Sequence, residues 1–147
     1  MKNEFNGIER RLDELTERLA RLEPLKENPR EEFDRDPYLR DATERNLEIS
    51  AQCCIDICHR IGLMENVKSP KDYYGSILRM GELGVLPADL AQRLAPLAGF
   101  RNILVHEYLE VDWDYVYIHL NNLDDLILFA DSVRLWLLKK NSHSKQL

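Results

Sequence analysis

Residues 2–24 decide the fold, and in one-letter code they are KNEFNGIERRLDELTERLARLEP. Because an α-helix has about 3.6 residues per turn, apolar residues spaced by three and four predict one apolar face. Pro24 is expected to end this helix. The N-terminal amphipathic helix 1–24 is therefore either part of the domain, lying on its core, or a dimer arm. The face consists of Phe5, Ile8, Leu12, Leu15, Leu19 and Leu22.

A second helix follows the polar residues 25–36, which we interpret as a connection. Asp36-Pro37 is a typical helix start, because aspartate caps a helix and proline fits its first turn. The apolar residues after it continue to Ile61, and Gly62 is expected to end the helix.

Three more helical stretches follow along the chain. The first is short and stops at Gly84. The second begins at Pro87, and Pro96 inside it is expected to kink the helix or to break it into two pieces. The third is a single last helix capped by Asp112. Its expected core face is Val116, Leu120, Leu123, Ile127, Ala130, Val133 and Leu137.

No segment alternates apolar and polar residues between turns, as a strand would. The sequence thus predicts an all-α fold, an up-and-down helical bundle of four to five helices that are antiparallel because the connections are short. We assign the bundle domain to residues 25–140 and a flexible tail to residues 141–147.

Charge and composition exclude several classes of protein. The 147 residues include 20 Lys and Arg and 26 Asp and Glu, a net charge of −6, which disfavours binding nucleic acid by bulk charge. This balance does not exclude a local cationic site.

No apolar run approaches the roughly 20 residues of a membrane span, and the charged N-terminus does not resemble a signal peptide. The odd number of cysteines, three, favours a reducing cytoplasm over a disulfide scaffold.

Three cysteines and a histidine cluster on the second helix: Cys53, Cys54, Cys58 and His59. A structural zinc site needs four ligands, usually in paired short spacings, and the sequence has no second Cys/His pair. Because free cysteine is among the most often buried residue types, we expect these side chains to pack in the core. We therefore expect neither a metal nor a cofactor.

Polar groups concentrate in residues 99–108, GFRNILVHEY. Arg101 brings a permanent cation suited to phosphate, and His106 can move a proton near neutral pH. Tyr108 offers a hydroxyl and a flat ring. Five residues of an unbroken helix turn through about 500°, so Arg101 and His106 would point about 140° apart. The helix must bend here, Arg101 must reach round, or two chains must each supply half of a shared cleft.

The pattern R-x-x-x-x-H-x-Y, filled by residues 101–108, resembles the signature of HEPN proteins. More narrowly, the chain resembles the HepT-like toxins that are paired with a minimal nucleotidyltransferase antitoxin, MntA. The similarity covers about residues 35–138. It includes a Pro-x-x-Tyr-Tyr segment at 70–74 and a Val-Asp-x-x-x-Val-Tyr segment at 111–117.

The resemblance implies a helical bundle that forms a homodimer and brings two copies of the motif to one cleft. It implies a metal-independent ribonuclease in which the ribose 2′-hydroxyl attacks the adjacent phosphate. His106 would transfer the proton, and Arg101 would bind the scissile phosphate. Asn102 would orient the phosphate or His106. Tyr108 matches the tyrosine to which the antitoxin attaches AMP, and this addition would block RNA by bulk and charge.

Three hypotheses fit these residues. The chain is a ribonuclease toxin of a toxin–antitoxin pair, or a non-catalytic HEPN module that binds a nucleotidyltransferase partner or a nucleotide. The third is a structural helical protein whose Arg101 and His106 form surface pairs. Arg101, His106 and Tyr108 together weigh against the third. The first two share every sequence feature, and we take the ribonuclease toxin as the prediction.

Overall fold

The computed structural model describes residues 2–68 and 70–145, and all regular structure within them is helical. The predicted all-α class is confirmed. Two short 3₁₀ helices, Glu23–Glu27 and Tyr108–Glu110, connect longer elements. The α-helices are α1 (Lys2–Leu22), α2 (Arg30–Arg35), α3 (Pro37–Met64), α4 (Tyr73–Glu82), α5 (Ala88–Leu94), α6 (Leu97–His106), α7 (Trp113–Leu120) and α8 (Asp124–Lys145).

The apolar face of α1 packs on α3 and α8 of the same chain. Five of its six predicted side chains are buried, and Phe5 is partly buried at the edge of the core. Removing apolar surface from water is the main favourable term in such packing. Helix α1 therefore lies on the core of its own chain. The buried side chains are Ile8, Leu12, Leu15, Leu19 and Leu22.

Helix α3 runs through the centre of the bundle and contacts α1, α4 and α6. It begins as predicted, because the Asp36 carboxylate accepts hydrogen bonds from the N–H groups of Tyr38 and Leu39 at 3.0 and 3.2 Å. It ends at Met64, two residues beyond the expected stop at Gly62. The left-handed conformation that follows the helix is instead adopted by Asn66, with φ 55°.

The polar connection 25–36 contains a helix that the sequence pattern did not predict, α2. Its Phe33 is fully buried and stacks on Trp113 with ring centroids 5.0 Å apart. A single buried aromatic residue in a polar stretch has no periodicity from which a helix could be predicted. This contact joins the connection to the start of α7.

The prediction of a single last helix was wrong, because residues 121–123 form a turn between α7 and α8. Ile127, expected in the core, is 40% exposed, whereas Leu126 and Phe129 are buried. The other six residues of the predicted core face are buried, so the face extrapolated from α7 continues along α8 and Ile127 is its one error. Helix α8 reaches Lys145, so the predicted tail 141–147 is helical up to that residue, and 146–147 lie outside the described residues.

Pro96 breaks the helix as predicted, since α5 ends at Leu94 and α6 begins at Leu97. The break lets α5 pack on α4 and α8 while α6 packs on α3. Gly81 of α4 favours the close approach of α5, because a Cβ there would lie only 3.1 Å from the Ala91 Cβ. This packing places α6, which carries the motif, beside the middle of α3.

No helix in the described part of the chain is long and apolar enough to cross a membrane.

Candidate functional site

Helix α6 carries most of the predicted motif and is uninterrupted from Leu97 to His106. The helix therefore does not break between Arg101 and His106. The two residues are about one and a half turns apart, so their side chains project from different sides of α6. Arg101 is half-buried on the side that faces α3, whereas His106 is exposed at the helix C-terminus. The described residues of one chain do not bring the two side chains together.

Arg101 is held by neutral groups. Its Nε donates a hydrogen bond to Gln52 Oε1 at 2.7 Å, and Nη1 donates to Asn102 Oδ1 at 3.0 Å. Its guanidinium carbon lies 6.0 Å from the centroid of the Tyr73 ring. Within residues 2–68 and 70–145, no carboxylate pairs with Arg101, although most other arginines of the groove beside it are paired. The positive charge of Arg101 is thus positioned without being neutralised.

A chain of contacts fixes the orientation of the Gln52 amide. Gln52 Nε2 donates to Asp56 Oδ1 at 2.8 Å, one turn along α3. The other oxygen of Asp56 pairs with Arg11 Nε of α1 at 3.4 Å. Because the amide nitrogen is engaged by Asp56, its oxygen is turned toward Arg101. Helices α1, α3 and α6 therefore cooperate in placing one guanidinium.

A groove of about 1060 Å³ lies between α1 and α3, and Arg101 is among the residues that line it. Five arginines and three carboxylates line it, in a chain whose net charge is −6. The negative net charge of the chain disfavoured bulk binding of nucleic acid but did not exclude such a local excess of positive charge. The arginines are Arg10, Arg11, Arg45, Arg60 and Arg101, and the carboxylates are Glu14, Glu48 and Asp56.

The remaining motif residues lie at the surface. Asn102 is exposed and its side-chain oxygen faces Arg101 rather than His106. Tyr108 is 69% exposed and Leu109 86% exposed, in the 3₁₀ helix that follows α6. The Tyr108 hydroxyl is therefore accessible to another protein.

The cysteines pack in the core as predicted. All three are buried and free, and burial raises the pKa of the Cys53 thiol to about 11. Burial also raises the thiol pKa of Cys54 and Cys58. Such thiols stay protonated and unreactive near neutral pH. In the described residues, no three His, Cys, Asp or Glu side chains are grouped so that they could hold a metal ion.

Sequence reasoning missed three residues at or near this site. Gln52 and Tyr73 lie beside Arg101, yet both are far from it along the chain; Tyr73 was noted only as part of the Pro-x-x-Tyr-Tyr segment, and Gln52 belongs to no motif. His119 stacks on Phe100 of the motif helix with ring centroids 3.9 Å apart, and burial lowers the pKa of His119 to about 4. The only local sequence signal for this cluster is the four-residue spacing of Gln52 and Asp56 on α3. Polar residues with this spacing are common on helix surfaces, so the spacing does not single out a site.

A family model described as Ribonuclease HepT-like matches residues 8–133 of this chain. Among curated proteins, the mRNA nuclease HepT of Shewanella oneidensis is 29% identical over 105 residues, which are 70% of this chain and 78% of that protein. The tRNA nuclease HepT of Aphanizomenon flos-aquae is 37% identical over 78 residues, 52% of each protein. The match thus spans about half the length of the second relative.

Solved structures share the fold. A tri-AMPylated HEPN toxin of Shewanella oneidensis in complex with an MNT antitoxin has a TM-score of 0.78 at 24% identity, covering 88% of this chain and 97% of that one. YutE of Bacillus subtilis, a cytosolic protein of unknown function, has a TM-score of 0.80 at 19% identity, covering 90% of both chains. At sequence identities below 25%, this similarity shows a shared helical fold and nothing more.

Proposed function

Because this chain belongs to the HepT-like ribonuclease family, we propose that it cuts RNA through Arg101 and His106 in a cleft shared by two copies. The observation that carries the proposal is the state of Arg101. Its guanidinium is held by Gln52 and Asn102, and within the described residues no carboxylate neutralises it. A fixed, unneutralised guanidinium is suited to a phosphodiester, because its planar donors match phosphate oxygens.

The proposed reaction needs no metal ion. The ribose 2′-hydroxyl gives up its proton as its oxygen attacks the adjacent phosphorus and forms a 2′,3′-cyclic phosphate. The bond from phosphorus to the 5′-oxygen breaks, and that leaving oxygen takes up a proton. His106 transfers a proton in this step, and Arg101 stabilises the negative charge that builds on the phosphate. Asn102 orients the phosphate through its contact with Arg101. A straight α6 separates Arg101 and His106, so a homodimer supplies the second half of the cleft.

We propose that an MntA-like nucleotidyltransferase antitoxin inactivates the toxin by attaching AMP to Tyr108. The tyrosine oxygen attacks the α-phosphorus of ATP and pyrophosphate leaves. The exposed position of Tyr108, two residues beyond the end of α6, supports this role. The added phosphate and adenine would repel and obstruct RNA at the cleft.

A second candidate function is a non-catalytic HEPN module that docks a nucleotidyltransferase or a nucleotide. The exposed side chains of Tyr108 and Leu109 favour it, because a solvent-exposed aromatic and aliphatic pair suits a protein contact. Both functions require the same surface, and only a cleavage measurement separates them.

The experiment expresses the chain alone in bacteria and follows growth together with the integrity of cellular RNA. The unchanged protein is expected to slow growth and cut RNA. Arg101→Ala and His106→Ala are each expected to lower the cleavage rate by about 10²- to 10⁴-fold, since each removes one catalytic group. Purified protein with added chelator should keep its activity.

Matched controls change the same residue types elsewhere on the surface. His59→Ala alters an exposed histidine of α3, and Arg35→Ala alters an arginine whose side chain is 75% exposed. Both variants should cleave like the unchanged chain. If the unchanged chain neither slows growth nor cuts RNA, the ribonuclease mechanism is refuted and the docking module stands.

A further inference from the structure

Two adjacent tyrosines lie at the start of α4, in the Pro-x-x-Tyr-Tyr segment to which the proposed reaction assigns no role. Tyr73 is 45% exposed and Tyr74 47% exposed. In the part of the chain that the structure describes, neither hydroxyl makes a hydrogen bond. Asp72 caps the helix by accepting a hydrogen bond from the Gly75 N–H at 2.8 Å, which fixes where both rings emerge.

Only the first tyrosine faces the candidate site. The Arg101 guanidinium carbon is 6.0 Å from the centroid of the Tyr73 ring, at the outer limit of a cation–π contact. Arg101 Nε also donates a hydrogen bond to Gln52 Oε1 of α3 at 2.7 Å, and this bond restricts the guanidinium to a position near the ring. The packing of α3, α4 and α6 therefore sets a phosphate-binding group and an accessible aromatic ring side by side.

That pairing matches the chemistry of one nucleotide, which joins an anionic phosphate to a flat base. We propose that Tyr73 forms a nucleobase subsite, in which its ring stacks on an unpaired base while Arg101 binds the neighbouring phosphate. The inference rests on the proposed ribonuclease function and deepens it. Bases inside a duplex are already stacked and paired, so the subsite selects single-stranded RNA segments.

The stacking is tested by fluorescence of 2-aminopurine, which is quenched when an aromatic ring stacks on it. The probe is a short single-stranded oligoribonucleotide containing this base, bound to the His106→Ala protein so that cleavage is slow compared with the measurement. Binding is expected to quench the probe. Tyr73→Leu should abolish the quenching and raise Kd roughly 5- to 150-fold, the range measured for one base–aromatic stack.

The chain supplies a matched control beside the tested residue. Tyr74→Leu removes an equally exposed ring from the same helix turn and should leave both quenching and Kd unchanged. Tyr73→Phe keeps the ring and should restore quenching. In cleavage assays, Tyr73→Leu should raise KM more than it lowers kcat, which a general loss of fold would not do.

The outcomes separate this inference from the proposed function. If Tyr73→Leu and Tyr74→Leu behave alike in quenching and Kd while the unchanged chain cleaves RNA, the subsite is refuted and the nuclease stands. If the unchanged chain does not cleave, but quenching depends on Tyr73, the nuclease is refuted and the subsite stands. Equal quenching of a fully paired duplex probe would also overturn the subsite.

Discussion

At the scale of single residues, the amide of Gln52 explains how Arg101 is held in place while its positive charge is not neutralised. An amide oxygen accepts the Nε hydrogen bond at 2.7 Å without carrying a compensating charge. The other arginines of the groove are mostly paired with carboxylates, as Arg11 is with Asp56 and Arg45 with Glu48. Such pairing stabilises a surface only slightly but reduces the net charge that a phosphate meets.

His119 should make the stability of the protein depend on pH. Burial against Phe100 lowers the pKa of His119 to about 4, whereas an unfolded histidine has a pKa of about 6.5. Between these values the unfolded chain binds a proton that the folded chain does not. The stabilisation is therefore complete above pH 6.5 and is lost as the pH falls toward 4.

Urea unfolding at pH 7 and pH 5 measures this effect. Because His119 is only partly buried, we expect the free energy of unfolding to fall by about 1 kcal/mol between the two values. In His119→Phe, which keeps a ring against Phe100, this part of the pH dependence should disappear. Carboxylates contribute equally to both proteins, so an identical pH dependence in the two would contradict the assignment.

Tyr108 should be the single tyrosine modified by the partner. Co-expression with a neighbouring nucleotidyltransferase and ATP is expected to add adenylyl groups to the peptide that contains Tyr108, as detected by mass spectrometry. Tyr108→Phe should prevent the modification. Tyr38→Phe, which changes a tyrosine that is 85% exposed on α3, should not. Modification of another tyrosine in place of Tyr108 would remove the role proposed for it.

At the scale of helices, α1 illustrates what periodicity can and cannot predict. Its apolar face follows from spacing alone, since side chains three and four residues apart lie together. Spacing left open whether that face covers its own core or a second chain, and the packing of α1 on α3 and α8 answers this for the single chain. The core face predicted for the last helix is correct at six of its seven positions, but the turn at 121–123, which contains no proline or glycine, was not predicted.

Leu15→Ala tests whether α1 belongs to the cooperative fold. Leu15 is fully buried, so the lost transfer energy and the cavity should lower the free energy of unfolding by about 2–5 kcal/mol in urea titration. Leu128→Ala removes a leucine that is 47% exposed on α8, and its effect should stay below about 1 kcal/mol. A loss of similar size in both variants would favour an arm that is held loosely.

At the scale of the whole molecule, charge is distributed unevenly. A chain with a net charge of −6 places five arginines around one groove, and Arg101 is one of them. Acidic residues elsewhere keep non-specific attraction to RNA low, so binding should depend on a few placed cations. The same arrangement explains why composition alone argued against a nucleic-acid-binding protein.

The proposed shared cleft requires a homodimer, and the mass of the protein in solution tests this requirement. Light scattering at micromolar concentration should give a mass of at least twice 17.3 kDa. Mixing Arg101→Ala with His106→Ala chains should also recover part of the cleavage activity, because some mixed dimers regain one intact cleft. A monomer at these concentrations, or no recovery on mixing, would contradict a site built from two chains.

The sequence by itself determined the helical class and the identity of the motif, because helix spacing and residue chemistry are local properties of the chain. It also predicted the break at Pro96, since proline lacks the N–H that a helix interior needs. Only the tertiary structure brought Gln52, which is 49 residues from Arg101, and Tyr73 to the same guanidinium. Such contacts depend on how α3, α4 and α6 pack, and packing follows from the burial of the whole core rather than from any one segment.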